Sequence, residues 1–281
     1  MKVLLAESAG FCYGVSRALS TVLELAEAEG PMFTLGPLIH NPQVIEKLES
    51  HGVKSVKDLS EIPAGSTVVM PSHGVAREMM EQAKASSMKI IDVTCPFVDK
   101  VHRLARSLAD EGYQVVVLGD EGHTEVQGIL SVAGCGALVV SDSEELAKRK
   151  LKKRVGLVAQ TTQTVARYQQ VVAEMSGRAY EVRAYNTICH ATTDRQKAAI
   201  AVAENVDLMV VVGGRNSANT RRLAEICAET GVPTHHVEVA DEIDPDWFAH
   251  AKKVGVTAGA STPDWIIEEV VKSIEAMPAA E

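Results

Sequence analysis

Eleven short runs rich in valine, isoleucine and leucine recur along the 281-residue chain: KVLLAE, PMFTLGPL, TVVMPS, KIIDVT, QVVVLG, ALVVS, VGLVAQ, YEVRAYN, LMVVVGG, PTHHVE and KVGVTAG. Their apolar side chains follow one another instead of alternating with polar ones. That predicts strands buried on both faces, as in a parallel sheet covered by helices on each side. The stretches between them, among them VSRALSTVLELAEAEG, PQVIEKLESHG, VDKVHRLARSLADEG, EVQGILSVAG, DRQKAAIAVAEN and TPDWIIEEVVKSIEAM, carry apolar residues at helical spacing, and several stop at glycine. The predicted fold class is therefore α/β, built from repeated strand–helix–strand units.

Cys12, Cys95 and Cys189 divide this pattern evenly. Cys95 follows Cys12 by 83 residues and Cys189 follows Cys95 by 94, each about a third of the chain. Each stands where a strand-like run passes into a helix-like one, a position where backbone N–H groups and the helix dipole favour a thiolate. Cutting the chain after the second and third of these cysteines gives three expected α/β lobes, 1–97, 98–190 and 191–281. Packed about a common axis, they would bring three thiolates to one centre. Three sulfurs suit a 4Fe-4S cluster whose fourth iron stays open to substrate. Cys227, in RRLAEICAETG, falls on an apolar helical face and reads as core, and Cys135, in Ala-Gly-Cys-Gly after a helix, also reads as structural.

Composition excludes several functions. A net charge of −9 repels nucleic-acid phosphates, and 4% aromatic residues leave few stacking platforms. No run of eighteen apolar residues predicts a membrane span, and acidic Glu7 interrupts the N-terminal apolar stretch where an export signal needs a continuous one. A cytoplasmic protein is expected, and five widely spaced cysteines fit a reducing compartment. The basic run 148–154 reads as a solvated turn before a strand and the tail at 278–281 as a frayed end.

In parallel sheets, ligands bind beyond the carboxyl ends of strands. Polar residues fall at nearly all of these places: His40 and Asn41, Ser72 and His73, His123 and Glu125, Thr161 and Thr162, Ser217 and Asn219 around Ala218, and Ser261. Two of the turns, GGRNSANTRRL and TAGASTPDWIIEEV, are glycine-rich and lead into helices. Small residues there let backbone N–H groups approach an anion. Each Ser, Asn or Thr also reads as an ordinary N-cap, and Glu125 as an acid placed by a helix dipole. Neither turn matches a Walker A or dinucleotide fingerprint. His40, His73 and His123 can together cradle a diphosphate, with Glu125 as proton donor. His51, His102, His235, His236 and His250, in helices or away from the strand-end turns, read as structural.

The segments Gly-Phe-Cys-Tyr-Gly-Val (10–15), Gly-Pro-Leu-Ile-His-Asn (36–41), Ser-His-Gly-Val (72–75), Asp-Val-Thr-Cys-Pro (92–96), Gly-His-Thr-Glu-Val (122–126), Gln-Thr-Thr (160–162), Thr-Ile-Cys-His-Ala-Thr-Thr-Asp-Arg-Gln (187–196), Gly-Gly-Arg-Asn-Ser-Ala-Asn-Thr (213–220) and Thr-Ala-Gly-Ala-Ser-Thr-Pro (257–263) carry a resemblance. In order and spacing, from residue 2 to about 275, they are similar to the 4-hydroxy-3-methylbut-2-enyl diphosphate reductase family. The resemblance implies three lobes in pseudo-threefold arrangement around a 4Fe-4S cluster held by Cys12, Cys95 and Cys189. It implies reductive dehydroxylation of the allylic diphosphate to isopentenyl and dimethylallyl diphosphates, the last step of the non-mevalonate isoprenoid pathway, with the substrate hydroxyl on the open iron. Matching positions imply diphosphate binding by His40, His73, Ser217, Asn219 and Ser261, and a pocket lined by His123. They also imply Thr161 near the reacting hydroxyl and Glu125 as proton donor. Ala218 stands where many members carry a second serine, which leaves its backbone N–H to serve, and Tyr13 is unusual after the first ligand. A ferredoxin or flavodoxin is the implied electron donor.

Two other classes compete. Quinolinate synthase also holds a cluster with three cysteines, but its motif neighbourhoods differ from those above. A redox sensor or a three-cysteine zinc protein has no need of histidines and Ser/Asn turns at strand ends, and structural zinc usually takes a fourth protein ligand. Turnover that requires a reductant separates these readings.

Overall fold

The structure is a computed structural model that describes residues 1–277; the expected frayed tail lies outside them. The described strands are β1 (Lys2–Leu5), β2 (Met32–Leu35), β3 (Val53–Val56), β4 (Thr67–Met70), β5 (Lys89–Asp92), β6 (Gln114–Leu118), β7 (Leu138–Val140), β8 (Arg154–Ala159), β9 (Glu181–Ala184), β10 (Leu208–Val212), β11 (Thr234–Val237) and β12 (Lys253–Ala258). The helices are α1 (Tyr13–Glu29), α2 (Pro42–Ser50), α3 (Arg77–Ala85), α4 (Pro96–Asp110), α5 (Thr124–Val132), α6 (Ser143–Ala147), α7 (Val165–Ser176), α8 (His190–Ala203), α9 (Ala218–Glu229) and α10 (Asp264–Glu275). All eleven apolar runs of the sequence contain a strand. The twelfth, β3, has the sequence VKSV, whose central lysine and serine belong to a sheet edge and give no apolar run.

The strands form three four-stranded sheets, β5-β4-β2-β3, β9-β8-β6-β7 and β1-β12-β10-β11, with every pairing parallel. In the first two, the chain fills the third position, then the fourth, the second and the first. β10, β11 and β12 repeat that course, and β1 takes the vacant first position, in register from Lys2 opposite Lys253 to Leu5 opposite Val256. The fold is thus one strand order used three times, with the N-terminus closing the last sheet. This differs from the expected division at 97 and 190, which leaves residues 1–12 with the first lobe.

The inner strands β6 and β10 are buried along their whole length, and β8 and β12 at every residue but the first. The edge strands β1, β5 and β9 are only partly covered. Fully burying a valine or leucine stabilises by about 1.5–3 kcal/mol, so the inner strands carry most of the sheet energetics. By its internal contacts the chain divides into two compact units. One comprises Met1–Val15, His40–Val44 and the chain from His190 onward; the other comprises Ser16–Ile39 and Ile45–Cys189. No break between units falls near residue 97, because Val101, Ala105 and Leu108 of α4 pack into the core formed with Val115, Val117 and Val158.

Candidate active site

Each of the three cysteines occupies the same local position. Cys12, Cys95 and Cys189 are the residues immediately before α1, α4 and α8. Their backbone N–H groups donate to Ala260 O (3.3 Å), Ser72 O (2.9 Å) and Thr161 O (3.0 Å), each the second residue beyond the neighbouring strand, β12, β4 and β8. All three are partly exposed and none of the five cysteines is in a disulfide. Cys227 is the contrast: it is fully buried and desolvation pushes its thiol up to about 12, which keeps it protonated, as its apolar helical face suggested. Cys135 is exposed. Among the described residues, no three His, Cys, Asp or Glu side chains form a ready-made site for a metal ion. Three sulfur donors in one repeated pre-helical geometry are nonetheless the donor set that an iron–sulfur cluster takes.

In the second unit the strand ends build around a buried acid. Glu125, on the first turn of α5, is 3% exposed. Its Oε1 accepts the Thr161 N–H at 2.7 Å and its Oε2 the Thr161 hydroxyl at 2.9 Å. Burial lifts its pKa from the ordinary 4.5 to about 7, against the lowering effect of the two threonine bonds. A carboxyl poised there exchanges a proton near neutrality, and Thr161 joins it through one residue to the Cys189 backbone. His123 is the N-cap of α5, and its Nδ1 accepts the Glu125 N–H at 3.2 Å. In the neutral ring that leaves the proton on Nε2.

His73 is 8% exposed, with Nδ1 3.0 Å from Gly74 O and Nε2 3.1 Å from Pro37 O. A neutral imidazole donates to only one of two carbonyls, so the pair favours the imidazolium, but burial holds His73 below the usual histidine range. Gln160, quoted in the Gln-Thr-Thr motif without a role, anchors the turn after β6: its Oε1 accepts the Asp120 N–H at 2.8 Å.

In the first unit the strand ends are built from neutral donors. Ser217 is the N-cap of α9, its hydroxyl accepting the Thr220 N–H at 3.3 Å, so the N-cap reading holds for it. Ser217, Ala218 and Asn219 are 4–5% exposed, and Ser261 is 6% exposed with its hydroxyl donating to His40 O at 3.3 Å. The glycines are obligatory here. A Cβ on Gly214 would lie 2.5 Å from His40 O, and one on Gly259 would lie 2.0 Å from Thr220 Oγ1. This unit brings His40, Ser217, Ala218, Asn219 and Ser261 onto neighbouring turns; the other unit holds His73, His123, Glu125 and Thr161.

Sequence reasoning missed the residues that hold the Gly213–Ser217 turn. His236, read as structural, lies on β11 with its Nε2 2.7 Å from Gly213 O. Glu238 Oε1 accepts the Arg215 N–H at 2.6 Å, and Glu242 Oε2 accepts both the Arg215 guanidinium (2.6 Å) and the Glu238 N–H (3.0 Å). Arg195, 3% exposed, donates from Nη2 to Gly10 O at 2.7 Å and so fixes the turn before Cys12. These partners lie 23 to 185 residues from the groups they hold, so no local pattern announces them.

Comparison with known proteins agrees with this architecture over its whole length. The family model described as LytB protein matches residues 3–275. The 4-hydroxy-3-methylbut-2-enyl diphosphate reductase of Geobacter metallireducens is 49% identical over 280 residues, covering 100% of this chain and 99% of the relative. That of Pelobacter propionicus is 51% identical, covering 98% of each. Among solved structures, the E-1-hydroxy-2-methyl-but-2-enyl-4-diphosphate reductase of Plasmodium falciparum superposes with a TM-score of 0.94 at 28% identity, over 100% of this chain and 91% of that one. A second, the (E)-4-hydroxy-3-methyl-but-2-enyl diphosphate reductase described as the terminal enzyme of the non-mevalonate pathway, gives 0.69 at 42% identity over 99% of this chain and 100% of that one. With a match that begins in β1 and ends in α10, the chain belongs to the LytB protein family.

Proposed function

We propose that this chain is a 4-hydroxy-3-methylbut-2-enyl diphosphate reductase that converts its substrate to isopentenyl and dimethylallyl diphosphates, the last step of the non-mevalonate isoprenoid pathway. The observation that carries the mechanism is the buried Glu125 carboxyl, lifted to about 7 and held by two bonds from Thr161. Relatives of about half-identical sequence that bear the reductase name support the substrate assignment.

Replacing C–OH by C–H consumes two electrons and two protons, one proton leaving with the oxygen as water and the other ending on carbon. In this reading Cys12, Cys95 and Cys189 hold a 4Fe-4S cluster, which when bound supplies the electrons and a Lewis-acid iron without a protein ligand. Glu125 holds a transferable proton on its carboxyl, Thr161 sets that carboxyl's orientation and lies near the reacting hydroxyl, and His123 lines the pocket with its Nε2–H. His40, Ser217, Asn219 and Ser261 donate to the diphosphate, His73 joins them by exchanging its contact with Pro37 O for a ligand oxygen, and the Ala218 N–H at the start of α9 adds a backbone donor where a second serine is missing. The substrate's charge sits on neutral donors and helix N-termini, which stabilise it without competing for Glu125's proton.

A ferredoxin or flavodoxin delivers the single electrons, and the setting is cytoplasmic, with neither nucleic acid nor membrane as partner. Among the described residues no helix is long and apolar enough to cross a membrane. The test is anaerobic turnover of the allylic diphosphate with reduced methyl viologen, beside iron and sulfide analysis. Formation of both isoprenoid diphosphates is expected; an intact four-iron cluster with no substrate reduction overturns the reading in favour of a sensor or a condensing enzyme.

A further inference from the structure

We propose that Asn41 is a further substrate-binding residue, its side-chain amide donating to the diphosphate alongside Asn219. This rests on the reading above that the turns of the first unit hold the diphosphate. Asn41 is 1% exposed and precedes the nine-residue helix α2. Its Oδ1 accepts the Val44 N–H at 3.0 Å, the N-cap bond of that helix. Because an N–H donates only to the oxygen, this bond settles which end of the amide is which, and the NH2 group lies on the other side.

That NH2 group is buried and has no partner. A buried amide with two unused protons is costly, and such groups in folded proteins are nearly always satisfied by some acceptor. Asn219 repeats the observation: it is 5% exposed, at the second position of α9, and its Nδ2 is likewise buried without a partner.

The chain brings the two turns together within one unit. A Cβ on Gly214, in the turn that leads to Asn219, would lie 2.5 Å from His40 O and 3.6 Å from Asn41 Cα. Ser261 donates to the same His40 carbonyl. Two amides with unused donors, two serine hydroxyls and the N-termini of α2 and α9 thus share neighbouring turns. A set of donors lacking acceptors is complemented by an oxygen-rich anion, and a diphosphate offers enough oxygens for both amides. The Asn41 backbone packs on the diphosphate turn while its side chain caps α2, so a single residue aligns a helix and binds the ligand.

The experiment uses the holoenzyme under anaerobic conditions and two variants that keep a capping oxygen. Asn41→Ser removes the amide, and Asn41→Asp replaces it with a carboxylate oxygen that repels the ligand. Calorimetric binding of inorganic pyrophosphate is measured beside KM, kcat and Tm. Pyrophosphate affinity is expected to fall about tenfold in Asn41→Ser, with KM rising in step, kcat within about threefold and Tm unchanged, and to fall further in Asn41→Asp, which buries an unpaired carboxylate oxygen and so also lowers Tm. Wild-type binding matched by both variants overturns this inference alone, as does a loss of binding explained by a lowered Tm in both. A wild-type protein that binds neither pyrophosphate nor substrate overturns the diphosphate reading and this inference with it.

Discussion

The two compact units present the same strand-end turns with opposite chemistry. In the second, the turn after β6 leads into a helix whose first residues include a buried carboxyl with its pKa near neutrality, and the turn after β8 supplies the threonine that holds it. In the first, the turn after β10 offers a serine, an alanine and an asparagine, and the turn after β12 a serine. One is suited to moving a proton and the other to holding charge. The difference arises at equivalent places: the residue after each of β2, β6 and β10 is a glycine, Gly36, Gly119 and Gly213. Each donates its N–H to the last valine of the neighbouring strand, Val56, Val140 and Val237. A common backbone thus carries unlike side chains, which is how a repeated fold acquires an asymmetric site.

The turns are also braced differently. Gln160, the residue after β8, braces the turn after β6. His236, Glu238 and Glu242 brace the turn after β10 from the opposite neighbour, β11, and the segment after it. Bracing from the far side leaves the side facing β12 to Ser261 and the glycines.

The largest expected effect breaks both halves at once. Serine in place of Cys12, Cys95 or Cys189 should abolish turnover and lower the iron content, whereas Cys227→Ser should leave iron content unchanged. Equal iron loss in all four would mean that the thiols act through folding alone. Next comes the packing of the turns of the first unit. Gly259→Ala must displace Thr220 and should cost about 3 kcal/mol of stability, readable by chemical denaturation.

A comparable effect marks the proton-handling turn by pH. Because folding raises the Glu125 pKa, its protonated form contributes stability that is fully present below about 4.5 and is lost as pH rises through about 7. The whole contribution is about 3 kcal/mol, and Glu125→Gln should flatten the stability profile across that window. A profile with the same slope in the variant would remove Glu125 as its source. The smallest effect concerns bracing: Glu238→Gln, which keeps an acceptor for the Arg215 N–H, should raise KM by about threefold, while Glu238→Ala raises it more and leaves kcat nearly constant. A fall in kcat with KM unchanged would place the residue outside anion holding.

Much of this was legible in the sequence because it depends on local pattern. Buried inner strands announce themselves as unbroken apolar runs, and pre-helical cysteines as a strand-to-helix transition. β3 gives no such signal, because an edge strand with lysine and serine at its centre has no apolar run. The place of β1 was hidden for another reason: its pairing with β12 joins residues some 250 apart, and nothing in KVLL distinguishes a strand that opens the first sheet from one that closes the last. The sequence marks Glu125 and Thr161 separately, but their pairing across 36 residues and the burial that raises the Glu125 pKa exist only in the fold. At Ser217 the capping bond uses only the oxygen as acceptor from Thr220, so the N-cap role and the proposed ligand role are compatible.

The division of labour is tested most directly by kcat and KM of Glu125→Gln with its cluster content verified. If the second unit moves protons and the first holds the diphosphate, kcat falls by about 10²–10⁴-fold while KM stays within about threefold of wild type. A KM that rises steeply with kcat retained would show Glu125 serving the substrate's charge instead, and would contradict the account.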